Sequence, residues 1–286
     1  TVVVLHEQFP NHVYPWRRIA DEAGATMVAV EPPGPLGTPG RAAVWNARLL
    51  EAITPETGLV AVPNIHWSDG TVFDLEAVGA RAREVGAAFV VDGTQSVGAL
   101  PFDWRTVRPD ALAVAGYKWL LGPLTMGVLV LGDRFHEGRP LEETWVGRQG
   151  ARQFSGLTTY VDAYEPGAAR FDVGERSNGV LLPWLTAGIE QLLAWGVAEV
   201  QATLRPLADR ISEGARAKGY GVGEAQAAHL FGLLPPDGLS SDEVRAHLAE
   251  RGVAVSARGS VVRVAPHVYN TEADADALVE ALPEAA

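Results

Sequence analysis

FVVDGTQS, residues 89–96, is an apolar, β-branched run that ends on an acid and then turns. A run of this kind is typical of a buried strand, and Asp92, Gly93 and Thr94 supply the chemistry of the turn that ends it. Similar apolar runs lie at 2–5, 26–30, 59–62, 111–115 and 126–131, with helical patterns between several of them at 15–22, 41–53 and 75–85. This alternation predicts an α/β fold with a mainly parallel sheet and helices on both faces.

The residues that follow predict a smaller unit of α+β type. Helices are predicted at about 179–195 and 197–218, and Pro206 is expected to kink the second one. A capping box at 240–243, short strands near 253–255 and 261–264, and a last helix opened by Asn270 or Thr271 complete this unit. We therefore predict a large domain over 1–196 and a small C-terminal domain over 197–286.

Composition excludes several classes of function. The 286 residues carry a net charge of −12, which argues against nucleic-acid and anionic-membrane partners. The chain has no cysteine, so disulfides, thiolate metal sites and a cysteine nucleophile are excluded, and a cytoplasmic location is expected. The seven histidines show no metal-ligand spacing, and no metal is predicted. Glycines and a lysine divide the apolar run 111–132, which indicates two strands and a turn rather than a membrane span.

Lys118 is the chemically informative residue of that run. It lies in AGYKWLLGP (115–123), and only two of the 23 basic residues are lysines. Apolar surroundings lower the pKa of an amine and favour its nucleophilic form, although a lysine stem can also simply cover apolar surface. Asp92 either caps a following helix or faces a cationic group, and Gln95 lies three residues further on. An acid, an amide and a desolvated amine suggest pyridoxal 5′-phosphate (PLP).

Three segments together resemble a known family. VVDGTQSVGALPFDW (90–104), AGYKWLLGP and GVLVL (127–131) are similar to the class V aminotransferases, PLP-dependent enzymes of fold type I that include cysteine desulfurases, C–S lyases, kynureninases and isopenicillin N epimerase. The resemblance continues in EQFPNHVYPW (7–16) and VVRVAPHVYNTEAD (261–274), so it covers nearly the whole chain. It implies a PLP-transferase large domain followed by a smaller α+β domain.

The resemblance also assigns roles around the cofactor. It makes Lys118 the Schiff-base lysine and catalytic proton carrier, Asp92 the partner of the pyridinium nitrogen, and Gln95 a donor to the phenolic oxygen. Phe9 takes the position of a ring that stacks on the cofactor, with ordinary core packing as the competing interpretation. Asn64 matches an asparagine that lies over the cofactor.

Further residues are assigned to the phosphate and to the substrate. Those expected at the phosphate are Tyr117, which can instead simply pack, and Ser177 and Asn178, which resemble a segment reaching the neighbouring subunit. Those expected at the substrate carboxylate are Arg263 and Arg258, whose planar guanidinium groups suit it; an exposed arginine on an edge strand is the alternative. Residues expected to line the pocket are Trp145 from the partner chain, His66 and His12.

The resemblance implies an enzyme acting on an amino acid, as an aminotransferase or a C–S lyase, and forming a homodimer. Kynureninase-like hydrolysis and epimerisation remain alternatives, as does a non-catalytic family member that binds no cofactor. The lack of cysteine removes the persulfide-forming thiol of true desulfurases. The family's glycine- and threonine-rich phosphate turn, which precedes the first strand, is not in this sequence, and we expect the sequence to be an incomplete version of the protein.

Overall fold

The computed structural model describes residues 1–176, 178–224 and 226–284. Strands and helices alternate through the first part of the chain, as the apolar periodicity predicts. They are β1 (Val2–Leu5), α1 (Tyr14–Glu22), β2 (Met27–Val30), α2 (Arg41–Ala52), β3 (Leu59–Pro63), α3 (Leu75–Val85), β4 (Ala88–Asp92), α4 (Trp104–Val107), β5 (Ala111–Ala115) and β6 (Gly127–Leu131). The α/β class is confirmed.

These strands form one sheet in the order β2-β1-β3-β4-β5-β6. The first five are parallel, and β6 pairs antiparallel with β5. Pro63, Asp92 and Ala113 are partners across β3, β4 and β5. The carboxyl ends of the parallel strands therefore share an edge, which is where open α/β sheets bind ligands.

The two faces of this sheet are covered differently. One face packs against α2, α3 and α5 (Leu181–Trp195), with Trp45 and Leu185 in its core. On the other face α1 covers β1 and β3 through Ala20, whereas Leu129 of β6 is 50% exposed. Among the described residues, the prediction of helices on both faces thus holds for the side of the sheet formed by β2, β1 and β3. Over β4 to β6 the second face lines a groove that leads to Lys118.

The last third of the described chain has a separate core. It contains α6 (Val197–Ala217), β7 (Gly221–Val222), β8 (Phe231–Leu234), α7 (Ser241–Ala249), β9 (Ser256–Arg258), β10 (Val261–Val264) and α8 (Glu272–Ala281). The strands form an antiparallel sheet in the order β7-β8-β10-β9, whose apolar side packs on α6, α7 and α8. The domain boundary at 196/197 stays a prediction.

In this unit the sequence predicts the helix starts correctly but not all of the strands. The capping boxes at Ser240 and Thr271 are present and open α7 and α8. The strand predicted near 253–255 is wrong, because pairing with β10 begins only at Ser256. Strands β7 and β8 were not predicted, since they are short and contain glycine. No helix of the described residues is long and apolar enough to cross a membrane.

A hairpin at residues 65–72 connects the two sheets. Gly70 has φ +76°, and a Cβ there would lie 2.2 Å from the carbonyl oxygen of Leu230. The Gly232 nitrogen donates to the Asp69 carbonyl at 2.9 Å. Only glycine allows this close approach of two backbones, so the hairpin fixes the small sheet against the large one.

Candidate functional site

Lys118 lies in a tight loop between β5 and β6. The loop is closed by hydrogen bonds from Gly116 to Met126 (2.8 Å), from Leu121 to Lys118 (3.0 Å) and from Gly122 to Gly116 (2.8 Å). A Cβ on residue 116 would lie 2.8 Å from the Met126 carbonyl oxygen, which explains the glycine. Leu121 has φ +56°, a strained conformation for a leucine that the surrounding packing must hold. The lysine is thus presented by a rigid loop.

The Lys118 amine is half-buried among rings and other cations. Its Nζ lies 5.6 Å from the ring centroid of Phe9 and 5.7 Å from that of Tyr117. None of the ion pairs between described residues includes this amine. Burial lowers its pKa; Arg263 and Arg258 lower it further, and the Asp92 charge acts in the opposite direction. The arrangement favours a nucleophilic amine.

Asp92 ends β4 and faces the same space. Its Oδ1 accepts from the Thr94 nitrogen at 2.9 Å, within a turn, and the next helix, α4, is capped instead by Asp103. The helix-capping interpretation of Asp92 is therefore wrong. Burial lowers the pKa of His12, and the Asp92 charge acts in the opposite direction. Neither ring nitrogen of this buried histidine has a hydrogen-bond partner among the described residues. This pair is placed to meet a ligand.

Gln95 and Phe9 complete this side of the site. Gln95 is 7% exposed, and its Oε1 accepts a hydrogen bond from the Trp119 indole at 3.3 Å. Phe9 is 38% exposed and packs edge-on against Trp67, with ring centroids 5.4 Å apart. Phe9 is therefore not a core residue, and its ring lies over the lysine.

Two arginines approach from the small sheet. Arg263 on β10 donates from Nη1 to the Trp67 carbonyl at 2.9 Å, while its buried Nε has no partner. Burial, together with Arg258, lowers the pKa of Arg263 to about 10. Arg258 on β9 stacks over the Trp67 ring at 5.7 Å. A half-buried guanidinium with an unused donor and a second cation nearby suits an anionic ligand.

Most of these groups line one cavity of about 920 Å³, whereas Arg263 and Arg258 contact its lining residue Trp67 without lining it themselves. Of the residues predicted for the site, it is lined by Lys118, Asp92, Gln95, Phe9, Tyr117 and His12. The cavity continues along the exposed face of β4, β5 and β6 through Val90, Ala113 and Leu129. The sequence predicted that Asp92, Gln95 and Lys118 lie at one site, whereas it did not predict the apolar groove beyond them.

Two predicted residues lie near the cavity but bond elsewhere. Asn64 is buried and donates to the Phe73 carbonyl at 3.2 Å. His66 is 1% exposed; its Nε2 lies 3.0 Å from the His6 carbonyl and its Nδ1 2.9 Å from the Ser68 hydroxyl. Both side chains hold the 65–72 hairpin, and neither lines the cavity. Their ligand roles stay predictions.

Two further predicted residues, Trp145 and Asn178, do not line this cavity within one chain. Trp145 packs against Phe154 and lines two other hollows. Asn178 accepts from the nitrogens of Val180 and Leu181 and so caps the start of α5. Ser177 lies outside the described residues. Their expected roles at a neighbouring subunit stay predictions.

Trp67 is a site residue that the sequence reasoning passed over. Its indole donates to the Glu7 carbonyl at 2.6 Å, its ring contacts Phe9 and Arg258, and its carbonyl holds Arg263. The signal was present, because an aromatic residue stands in the polar insertion between Asn64 and Asp69. Among the described residues no group of three histidine, cysteine or acidic side chains could hold a metal ion.

Solved structures share this fold. The cystine C–S lyase C-DES, in complex with its product cysteine persulfide, superposes with a TM-score of 0.83 at 21% identity, covering 98% of this chain and 74% of that one. The cysteine desulfurase CsdA from Escherichia coli gives a TM-score of 0.81 at 23% identity, covering 98% and 70%. The chain therefore shares the fold of these two proteins.

The family follows from the sequence. The model of the family described as Aminotransferase class-V matches residues 1–278, so the chain belongs to the class V aminotransferases. This confirms the resemblance in the 90–131 segments.

Relatives in the family carry several activities in their names. Uncharacterized aminotransferase YcbU from Bacillus subtilis is 28% identical over 221 residues, covering 77% of this chain and 57% of that protein. A probable cysteine desulfurase from Pyrococcus abyssi is 28% identical over 215 residues, covering 74% and 50%. Isopenicillin N epimerase from Streptomyces clavuligerus is 28% identical over 303 residues, covering 98% and 73%. The chain thus spans about half the length of the first two relatives.

Proposed function

We propose that this protein is a PLP-dependent enzyme that acts on an amino acid as an aminotransferase or a C–S lyase. The observation that carries the proposal is the amine of Lys118, half-buried, lowered in pKa and facing the same cavity as the Asp92 carboxylate. Membership of the class V family supports it independently. An ordinary surface lysine would require none of the loop geometry around residue 118.

Residues in and beside the cavity fit the cofactor. Both ring nitrogens of His12 and the Nε of Arg263 are buried and have no partner within the described chain. Groups of this kind are costly to bury unless a ligand satisfies them. Lys118 would bond the cofactor covalently, Asp92 would face its pyridine nitrogen, and Phe9 would cover its ring.

When bound, PLP supplies an aldehyde for amines and an electron-withdrawing ring that stabilises negative charge at the substrate Cα. Lys118 is then the group that removes and returns the Cα proton, because burial lowers its pKa and so favours the neutral amine that can accept a proton. The negative charge of Asp92 would keep a proton on the ring nitrogen of the bound cofactor. Arg263 binds and orients the substrate carboxylate with its free Nε–H, and Phe9 and Trp67 exclude water on one side.

The two lysines of the chain provide a matched experiment. Lys218 donates from Nζ to the carbonyls of Glu280 (3.0 Å) and Leu282 (2.7 Å), so it is committed to α8, whereas Lys118 faces the cavity. Full-length protein mixed with PLP should develop a visible absorption band, and borohydride should fix the cofactor on Lys118 alone in peptide mass spectra. Lys118→Arg should abolish the band, and Lys218→Arg should keep it. Absence of a band in the wild type, or fixation on Lys218, would refute the proposal.

The reaction type can be separated by its products. Holoenzyme should be incubated with single amino acids and assayed in parallel for keto acid, for pyruvate with ammonia, for sulfide and for anthranilate. Keto acid identifies the aminotransferase, and sulfide or pyruvate with ammonia the C–S lyase; anthranilate would support the kynureninase-like alternative. If the holoenzyme yields none of these products and does not convert its cofactor to the amine form, the transferase and lyase versions both fail.

We also propose a homodimer. Several large apolar side chains of the 141–184 region are exposed in the single chain, namely Leu141 (100%), Phe154 (73%), Tyr160 (92%), Val180 (77%) and Trp184 (57%). Apolar surface concentrated in one region favours a protein partner. Light scattering of the holoenzyme at assay concentration should give twice the mass of one chain, and a monomer would contradict the proposal.

A further inference from the structure

A buried hydrogen-bonded group joins the small sheet to the turn after β4. His229, which precedes β8, is 0% exposed, and its Nε2 lies 2.7 Å from the carbonyl oxygen of Gln95. A carbonyl oxygen can only accept, so Nε2 carries the hydrogen. A residue of the small unit therefore holds the backbone of a residue that lines the Lys118 cavity.

The other ring nitrogen is fixed by Gln201 on α6. The Gln201 Oε1 accepts from the Ala228 nitrogen at 3.1 Å, and its Nε2 donates to the Ala99 carbonyl at 2.6 Å. With the amide oriented in this way, its Nε2 also donates to the His229 Nδ1 at 2.7 Å. The imidazole is thereby held in one neutral tautomer, with Nε2–H and an accepting Nδ1.

Charge and burial around His229 act in the same direction. Burial lowers the pKa of His229, the Gln95 carbonyl acts in the opposite direction, and the charges of Arg205 and His267 lower it; together these effects bring the pKa to about 4. A proton on Nδ1 would also oppose the Gln201 amide hydrogens. The ring is therefore a permanent donor to Gln95 under ordinary conditions.

Trp119 fixes the side chain of the same glutamine. Its ring meets His229 edge-on at 4.6 Å between centroids and stacks on His267 at 5.5 Å with an interplanar angle of 9°. From this position its Nε1 donates to the Gln95 Oε1 at 3.3 Å. Because the amide oxygen is occupied from this side, the amide nitrogen of Gln95 is left as a donor toward the cavity.

We propose that His229 is a positioning residue for the cofactor site. It acts through Gln95 and Trp119, and it sets the orientation of the Gln95 amide, whose nitrogen would donate to an oxygen of the bound cofactor. The inference rests on the proposed function, because it assigns a second-domain residue to the same site. It makes cofactor affinity and cofactor colour depend on a side chain that touches no cofactor atom.

Three variants separate positioning from simple packing. His229→Leu fills the space but removes both hydrogen bonds. His229→Gln keeps a donor within reach of the Gln95 carbonyl. His247→Gln on α7 changes a histidine outside this group and serves as the matched control.

The readouts are the dissociation constant of PLP from titration of the apoprotein and the pH midpoint of the bound cofactor's absorption band. In His229→Leu the buried carbonyl oxygen of Gln95 loses its donor, so Gln95 should shift. PLP binding should then weaken about tenfold, and the pH midpoint of the absorption band should move. His229→Gln should recover most of both losses, and His247→Gln should match the wild type.

Wild-type binding and an unchanged midpoint in a folded His229→Leu protein would overturn the inference. A wild-type protein that never binds PLP would instead refute the proposed function. If His229→Leu fails to fold, ¹⁵N NMR of the histidines in the wild-type protein tests the inference instead. A neutral His229 ring with Nε2–H that does not titrate between pH 8 and 5 supports it. A His229 ring that titrates near 6.5, or that carries its proton on Nδ1, refutes it.

Discussion

Loss of Arg41 is expected to destabilise the protein far more than loss of an exposed arginine. Arg41 pairs with Asp69 at 2.9 Å, with side-chain exposures of 10% and 5%. It also donates from Nη1 to the Thr71 hydroxyl and from Nε to the Gly34 carbonyl, each at 2.9 Å. Asp69 belongs to the hairpin that carries Trp67, so this pair supports the contacts of Trp67 with Phe9 and Arg263.

The expected magnitude follows from burial. In Arg41→Leu the Asp69 carboxylate would keep only the hydrogen bond from the Thr71 nitrogen, at 2.9 Å, and would otherwise be an uncompensated buried charge. Breaking such a pair costs about 3–5 kcal/mol, a large part of a typical stability of about 5–15 kcal/mol. In Arg41→Leu/Asp69→Asn the charge is gone and the amide oxygen can still accept from Thr71. The double variant should therefore recover at least half of the loss.

Urea unfolding followed by circular dichroism measures these free energies, and linear extrapolation compares them. The control is Arg18→Leu, which removes an arginine from a pair with Glu22 whose side chains are 76% and 71% exposed. It should cost at most about 0.5 kcal/mol. If Arg41→Leu costs under about 1 kcal/mol, or if the double variant is no better than the single one, the buried-charge reasoning is wrong.

Three further predictions concern the loop, the acid limit and the substrate. Gly188→Ala in α5 should lower the urea midpoint, because the new Cβ would lie 2.6 Å from the Leu120 carbonyl oxygen. In an open helix the same exchange normally stabilises by about 1 kcal/mol, so a rise of the urea midpoint would contradict the packing of α5 on the Lys118 loop. As the pH falls from 6.5 to about 4, the free energy of unfolding should decrease by on the order of 3 kcal/mol from His229 alone, because the unfolded chain binds the proton at higher pH than the folded one. His229→Gln should flatten this pH dependence, and an equal slope in wild type and variant would refute the assignment to His229. Arg263→Lys should raise KM for amino acids about tenfold with little change in kcat, since the planar guanidinium is lost; steady-state kinetics with an unchanged KM would exclude carboxylate binding there.

The cofactor side of the site could be read from the sequence because its signals are local. Asp92 ends a strand with a clear apolar period, and Lys118 is the only charge of the apolar run 111–132. In a parallel sheet both ends meet at one edge, so the distance between them in the chain does not matter. The helix-capping alternative for Asp92 was excluded only when the following residues proved to form a turn.

Other features depended on contacts that no local pattern encodes. Trp67 is joined to Arg263 through its own main-chain carbonyl, which accepts from the arginine side chain, and His229 is joined to the site through its bond to the Gln95 carbonyl. Such bonds between a side chain and a main-chain atom leave no periodic signal. The exposed groove along β4 to β6 likewise reflects which helices pack on which face.

Hydrophobic period and residue chemistry alone predict the strands and helices of the first part of the chain, the acid at the end of β4 and the lone lysine of the apolar run. How the two sheets face each other across the 65–72 hairpin could not be predicted in this way, since it depends on close backbone contacts such as the one at Gly70. The tertiary structure also decided that Arg263 approaches the lysine while Asn64 and His66 turn to the hairpin, because buried polar groups bond to whichever partners the packing brings within reach.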